Sequence, residues 1–134
     1  MNLTTHFTLE ELCRSSFAIK NNLKNVPSKA VIKNLFFTAR KMERLRAYLG
    51  GFPIIVTSGF RSREVNSGVG GSHVSDHVNG LAVDFIVSSI PCPKTVADII
   101  KTSSIKYDQL ILYSTFLHIG FGARMRQQFI DKRE

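Results

Sequence analysis

Cysteine is scarce: Cys13 and Cys92 are the only two in 134 residues, and they form no CxxC pair. That excludes a thiolate metal knuckle, and the pair reads as two free, buried thiols with no disulfide between them. No apolar run approaches the roughly 20 residues that a membrane-spanning helix needs, so membrane insertion is not expected. The stretch MNLTTHFTLEELC has neither the basic patch nor the apolar segment of a secretory signal. The chain is therefore expected to be cytoplasmic as synthesised, with lysis or particle assembly as its route outward. There is no internal repeat, no low-complexity segment and no helix-turn-helix signature. No strand interleaves basic and aromatic residues, so nucleic-acid binding has only net charge in its favour.

Acidic residues are also few: ten Asp and Glu stand against 18 Lys and Arg, a net charge of +8. The imbalance is local. Residues 1–53 hold nine basic and three acidic side chains, and residues 54–134 hold nine and seven. The first half is thus a basic surface, suited to nucleic acid, anionic lipid or an acidic wall polymer, or else a solvated helix face that aids solubility.

What is present is an ordinary core complement, 43% hydrophobic, enough for one domain over residues 1–134. Thr8-Leu9-Glu10-Glu11 has capping-box spacing and predicts a short helix to Ser15 or Ser16. Residues 21–27 read as a loop. Ser28 caps a long helix to Leu49, ended by Gly50-Gly51. Val31, Leu35, Met42, Leu45 and Leu49 form its core stripe, with Lys33, Lys41 and Arg44 away from it. Strands are predicted at 54–57, 81–87, 109–113 and 116–121, the last two joined by Ser114-Thr115. Residues 64–67 read as one helical turn, and residues 94–102 as a helix after the stiff Pro91-Cys92-Pro93. The tail after Arg126 carries no fold signal.

The chemistry concentrates in SHVSDHVNGLAVDF, residues 72–85. Asp84 is an acid in an otherwise apolar strand; a buried carboxylate needs a cation or strong donors, and an arginine such as Arg61 is the simplest partner. By the two-residue period Asp84 points away from Val83, Phe85 and Val87, and His118 points away from Leu117, Ile119 and Phe121. Two such strands in one sheet would bring both groups to one cleft, with His77 seven positions before Asp84. Two imidazoles and one carboxylate suit Zn²⁺ and leave a fourth position open. Each residue alone has a plainer reading: a loop histidine at 77, a core histidine at 118. His6 reads as structural.

Three segments, SGFRS (58–62), VNSGVGGSHVSDHVNGLAVDF (65–85) and YDQLILYSTFLHIGF (107–121), resemble the motifs of the peptidase M15 family. These are zinc D-Ala-D-Ala carboxypeptidases and L-Ala-D-Glu endopeptidases, phage endolysins among them. The S-x-H-x₂-G-x-A-x-D core matches at Ser75, His77, Gly80, Ala82 and Asp84, and the layout from HFTLEEL to PIIVTSGFRS is also similar. The resemblance implies an α+β fold shared with the hedgehog signalling domain: a small antiparallel sheet, helices on one face, a zinc cleft on the other. It implies His77, Asp84 and His118 as zinc ligands and bacterial peptidoglycan or its stem peptides as substrate, for a protein of the short, single-domain kind found in phages and bacteria, released to the cell wall by lysis or with a virion if phage-encoded. It places on Arg61 the guanidinium that holds the substrate's carboxylate or polarised carbonyl, a role suited to a permanent cation that can bind two oxygens. Asp76 or Glu64 are alternative partners for Arg61. Ser75 would support the ligand loop. Asp76 would orient a ligand histidine or be only a surface acid.

In one respect the chain departs from the family. Its members place an acid a few residues before the final histidine to shuttle a proton; here Tyr113 stands in that place, and Phe116 replaces the usual tryptophan. Tyrosine, with an ordinary pKa near ~10, is a poor base at neutral pH but can donate a proton. His73, in the glycine-rich loop four residues before His77, is a candidate base, a candidate fourth ligand or an exposed loop histidine. The sequence thus supports a zinc peptidase acting on peptidoglycan, or a catalytically impaired, zinc-stabilised module for wall binding or phage assembly.

Overall fold

A computed structural model describes all of residues 1–134. The chain begins with two short helices, α1 (Leu9–Cys13) and α2 (Ser16–Lys20), followed by the long α3 (Lys29–Tyr48). The rest alternates: β1 (Ile55–Ser58), α4 (Arg63–Gly68), β2 (Ala82–Ile86), α5 (Pro93–Thr102), β3 (Gln109–Leu112), β4 (Leu117–Gly120) and β5 (Gln128–Asp131). Local chemistry sets the helix starts. Thr8 and Glu11 form the expected capping box, and the Ser28 hydroxyl accepts from the Val31 amide. The Ser15 hydroxyl caps α2 in the same way, but five residues are too few for a helical period to show in the sequence.

The five strands form one sheet in the order β1-β2-β4-β3-β5. The first three pairings are antiparallel, whereas β3 and β5 run parallel. The α+β class holds, but the sheet is mixed rather than antiparallel, because the tail after Arg126 is a strand. The tail has no strand-like pattern of its own. Its order comes from the open edge of β3: Gln128 donates to the Asp108 carbonyl and Lys132 to the Leu112 carbonyl. The left-handed backbone at Met125 (φ 44°) and Gln127 (φ 53°) turns the chain back alongside. Arg126 locks the turn with Nε and Nη2 on the Asp108 carboxylate, at 2.8 and 3.0 Å.

Alternation divides the sheet into two faces. Val83, Phe85, Leu110, Leu112, Leu117 and Ile119 are buried against Leu35, Met42 and Leu45 of α3 and Val96 and Ile100 of α5. The opposite face carries Asp84, Ile111 and His118, which the register places side by side across β2, β4 and β3. On α3, Lys33, Arg40 and Arg44 are exposed as the stripe requires. Lys41 is not: it folds back over the Phe37 and Phe121 rings and donates to the Lys106 carbonyl. The cysteines correct another expectation. Both are free, but Cys92 is exposed and Cys13 only half-buried. Cys92 sits at the N-terminal boundary of α5, between two prolines on the surface. No helix is long and apolar enough to cross a membrane.

Candidate metal centre

Asp84 and His118 are direct cross-strand partners on β2 and β4. Their side chains therefore meet on the face away from the helices. His77 arrives from the tight turn before β2, where Leu81 donates to the Asp76 carbonyl and Gly80 to the His77 carbonyl. Gly80 makes this turn possible. Its φ of +72° favours glycine, and a Cβ there would crowd Val31 and Leu35 at 3.0 and 3.1 Å. Thr38 of α3 donates to the Gly80 carbonyl at 2.7 Å, tying the turn to the long helix. Ser75 supports the loop as expected, its hydroxyl accepting from the His77 amide.

The ligand atoms of His77, Asp84 and His118 all lie within 4.8 Å of one another. His77 is 3% exposed and Asp84 8%. His77 Nδ1 donates to the Gly59 carbonyl at 2.7 Å, since a carbonyl can only accept. This fixes the ring with Nε2 toward Asp84, 3.2 Å from Oδ1, while His118 Nδ1 approaches the same oxygen at 2.8 Å. Burial pushes the Asp84 carboxyl up, but the hydrogen bonds from His118 and His77 outweigh it and hold the group well below the usual carboxylate range. Both ring nitrogens of His77 face acceptors, and two imidazoles converge on one oxygen. A cation between them resolves that arrangement, and two imidazoles with a carboxylate are donors that divalent zinc-type ions take. The residues present fit a metal, with His77 Nε2, His118 Nδ1 and the Asp84 carboxylate as its ligands.

Arg61 stands at the edge of the cluster. Its Nη2 is 3.3 Å from Asp84 Oδ2, its Nε donates to Ser58, and its Nη1 reaches Asn66 Oδ1 at 3.4 Å. It pairs with neither Asp76 nor Glu64. Burial lowers its pKa, against the pull of Asp84 and Tyr113, and the group remains a cation. Asn66 was not singled out from the sequence. It is 4% exposed and joins Arg61 to the glycine loop through the Ser72 carbonyl. Its only sequence signal is a polar residue inside an otherwise unremarkable helical turn.

The cluster opens into a cleft of about 670 Å³. Tyr113 lines it, stacked on Phe116 with ring centroids 4.5 Å apart. Burial and the Asp84 charge raise the Tyr113 pKa, with Arg61 partly opposing, so the phenol stays protonated at neutral pH. His73 is exposed and is not part of the cleft lining; the loop after Gly70 turns it to solvent. Asp76 lines the cleft but hydrogen-bonds to neither ligand histidine; the carbonyl of Gly59 orients His77 instead. Burial, with Asp108, pushes the Asp76 carboxyl up. A Cβ at Gly122 would meet its Oδ2 at 2.6 Å, so a side chain there would displace the Asp76 carboxylate. His6 is structural as expected, with Nδ1 2.8 Å from Glu43. The cleft lining also includes Gln109, Arg124, Arg126 and Lys132, the last from the tail after Arg126 that had carried no fold signal.

A family model described as peptidase M15 matches residues 5–120. The chain belongs to the peptidase M15 family. No curated protein sequence matches it. M15 proteins are metal-dependent peptidases of peptidoglycan-type substrates, and the match contains Arg61, Tyr113 and all three candidate ligands. The β5 segment and Arg124, Arg126 and Lys132 lie beyond it.

Proposed function

We propose that this M15 protein is a zinc-dependent peptidase that cleaves peptidoglycan stem peptides, as a D-Ala-D-Ala carboxypeptidase or an L-Ala-D-Glu endopeptidase. The observation that carries this reading is the His77–Asp84–His118 cluster, open to a cleft with an arginine at its edge. Bound zinc would supply Lewis acidity, polarising a carbonyl and acidifying a water ligand. The chain's own residues do the rest. Arg61, pre-positioned by Ser58, Asn66 and Asp84, holds a substrate carboxylate or carbonyl oxygen. Tyr113, protonated at neutral pH, donates its phenolic proton to the leaving amine as the C–N bond breaks; the oxygen of the consumed water forms the new C–O bond at the carbonyl carbon, and its released proton restores the phenol. The exposed Lys33, Arg40 and Arg44 of α3 favour adsorption to an anionic wall. Cytoplasmic synthesis and a phage origin, with release by lysis or in a virion, are part of this proposal.

Turnover of purified peptidoglycan by zinc-loaded wild type and by His118→Ala or His77→Ala tests the reading. Loss in the variants is expected, and equal hydrolysis by wild type and variant overturns it. A second reading, an impaired zinc-stabilised module for wall binding or phage assembly, is favoured by one observation: a weakly acidic phenol lines the cleft where an acid shuttle is expected. A lost general base costs on the order of 10²–10⁴-fold. A large gain in Tyr113→Glu supports impairment; no gain supports Tyr113 as a competent donor.

A further inference from the structure

The tail beyond the family match lies along the cleft. β5 runs parallel to β3 in the register Leu112–Asp131, so continuing it sets Lys132 beside Tyr113. Gln109 and Ile111 of β3 and Tyr113 just after it line the cleft together with Lys132, while Arg124 and Arg126 line it from the turn before β5. These cations differ in how they are engaged. Arg126 is committed to Asp108. Arg61 is engaged with Asp84. The ammonium of Lys132 and the guanidinium of Arg124 make no ion pair or side-chain hydrogen bond within the chain. Asp76 is an opposing charge near Arg124 and Arg126, but no salt bridge joins them. Two uncommitted cations therefore flank a cleft whose innermost cation, Arg61, is already placed to hold one substrate oxyanion.

We infer that residues 121–134 form a cationic rim, Lys132 and Arg124, that selects stem peptides carrying a second free carboxylate away from the scissile bond. This rests on the peptidase reading and names the substrate class of that same site. An extended peptide lying along β3 would cross the metal centre, which His118 sets beside Ile111, with Lys132 toward the Tyr113 end and Arg124 toward the Gln109 end. In such a peptide the glutamyl α-carboxylate, free or amidated, is the group that differs in charge.

The test uses the zinc-loaded protein and two hydrolysis-resistant analogues of L-Ala-γ-D-Glu-L-Lys-D-Ala-D-Ala. They differ only in whether the glutamyl α-carboxylate is free or amidated. Wild type should bind the free acid about two- to fivefold more tightly, the worth of one exposed ion pair. The preference should fall toward unity in Lys132→Gln/Arg124→Gln, and in wild type at high salt. Lys132→Glu should reverse its sign. Equal binding of the two analogues by wild type, or an undiminished preference in the double variant, overturns the inference. Failure of the peptidase reading shows separately, as no hydrolysis of the unmodified pentapeptide, while the binding ratio is still read.

Discussion

Replacing Asp108 by Ala tests whether the tail is a docked part of the domain. Asp108 is 1% exposed and its carboxylate accepts three hydrogen bonds from Arg126: the amide at 3.0 Å, Nε at 2.8 Å and Nη2 at 3.0 Å. The pair is buried on the acid's side, but the Arg126 side chain is 35% exposed. A fully buried pair broken at one end costs about 3–5 kcal/mol and a surface pair about 0–1, so the mixed case should cost about 2–3 kcal/mol. For a chain of this size that is a fall in Tm of about 6–12 °C. The loss should be shared by Arg126→Gln, and the double variant should be little worse than either single one, because both remove one interaction. The pH dependence has a definite sign. Arg126 holds the Asp108 carboxyl below its ordinary value. The group therefore stabilises the fold above its unfolded pKa, near ~3.9, and that contribution fades as pH falls through the lower folded value. Urea unfolding at pH 7 should separate wild type from Asp108→Asn, and the gap should close in strong acid. A change below about 0.5 kcal/mol at pH 7, or a gap that persists unchanged at low pH, would refute the reasoning.

Two further outcomes follow from the site and its turn. Zinc should raise the Tm of wild type, by the equivalent of about 4 kcal/mol when free metal is a thousand times its Kd, and should not stabilise His118→Ala comparably; thermal shift with and without chelator reads this, and equal shifts would count against the three ligands. Gly80→Ala should destabilise by about 1–3 kcal/mol, since it forces a side chain into left-handed backbone against Val31 and Leu35; a neutral effect in chemical denaturation would contradict the tightness of the His77 turn.

The sequence by itself determined the elements that depend on neighbours a few residues away. Ser28 and Thr8 cap helices because their hydroxyls reach amides three residues on. The faces of β2 and β4 follow from a period of two, which put Asp84 and His118 opposite the apolar core before any pairing was known. The H-x₂-G-x-A-x-D segment pointed to the ligand loop through its resemblance to the M15 motif, and the structure shows why its glycine is needed: Gly80 has left-handed backbone. Tertiary structure decided what depends on partners distant in sequence. It set Asp84 directly across from His118, gave His77 its orientation through the Gly59 carbonyl, bound Arg61 to Asn66 and turned His73 away to solvent. It also made a strand of Gln128–Asp131, whose hydrogen bonds come from the free edge of β3 and whose anchor is an acid 18 residues upstream of Arg126. Local pattern records a segment's own preferences; an unpaired edge and a buried carboxylate supply order to a segment that has none.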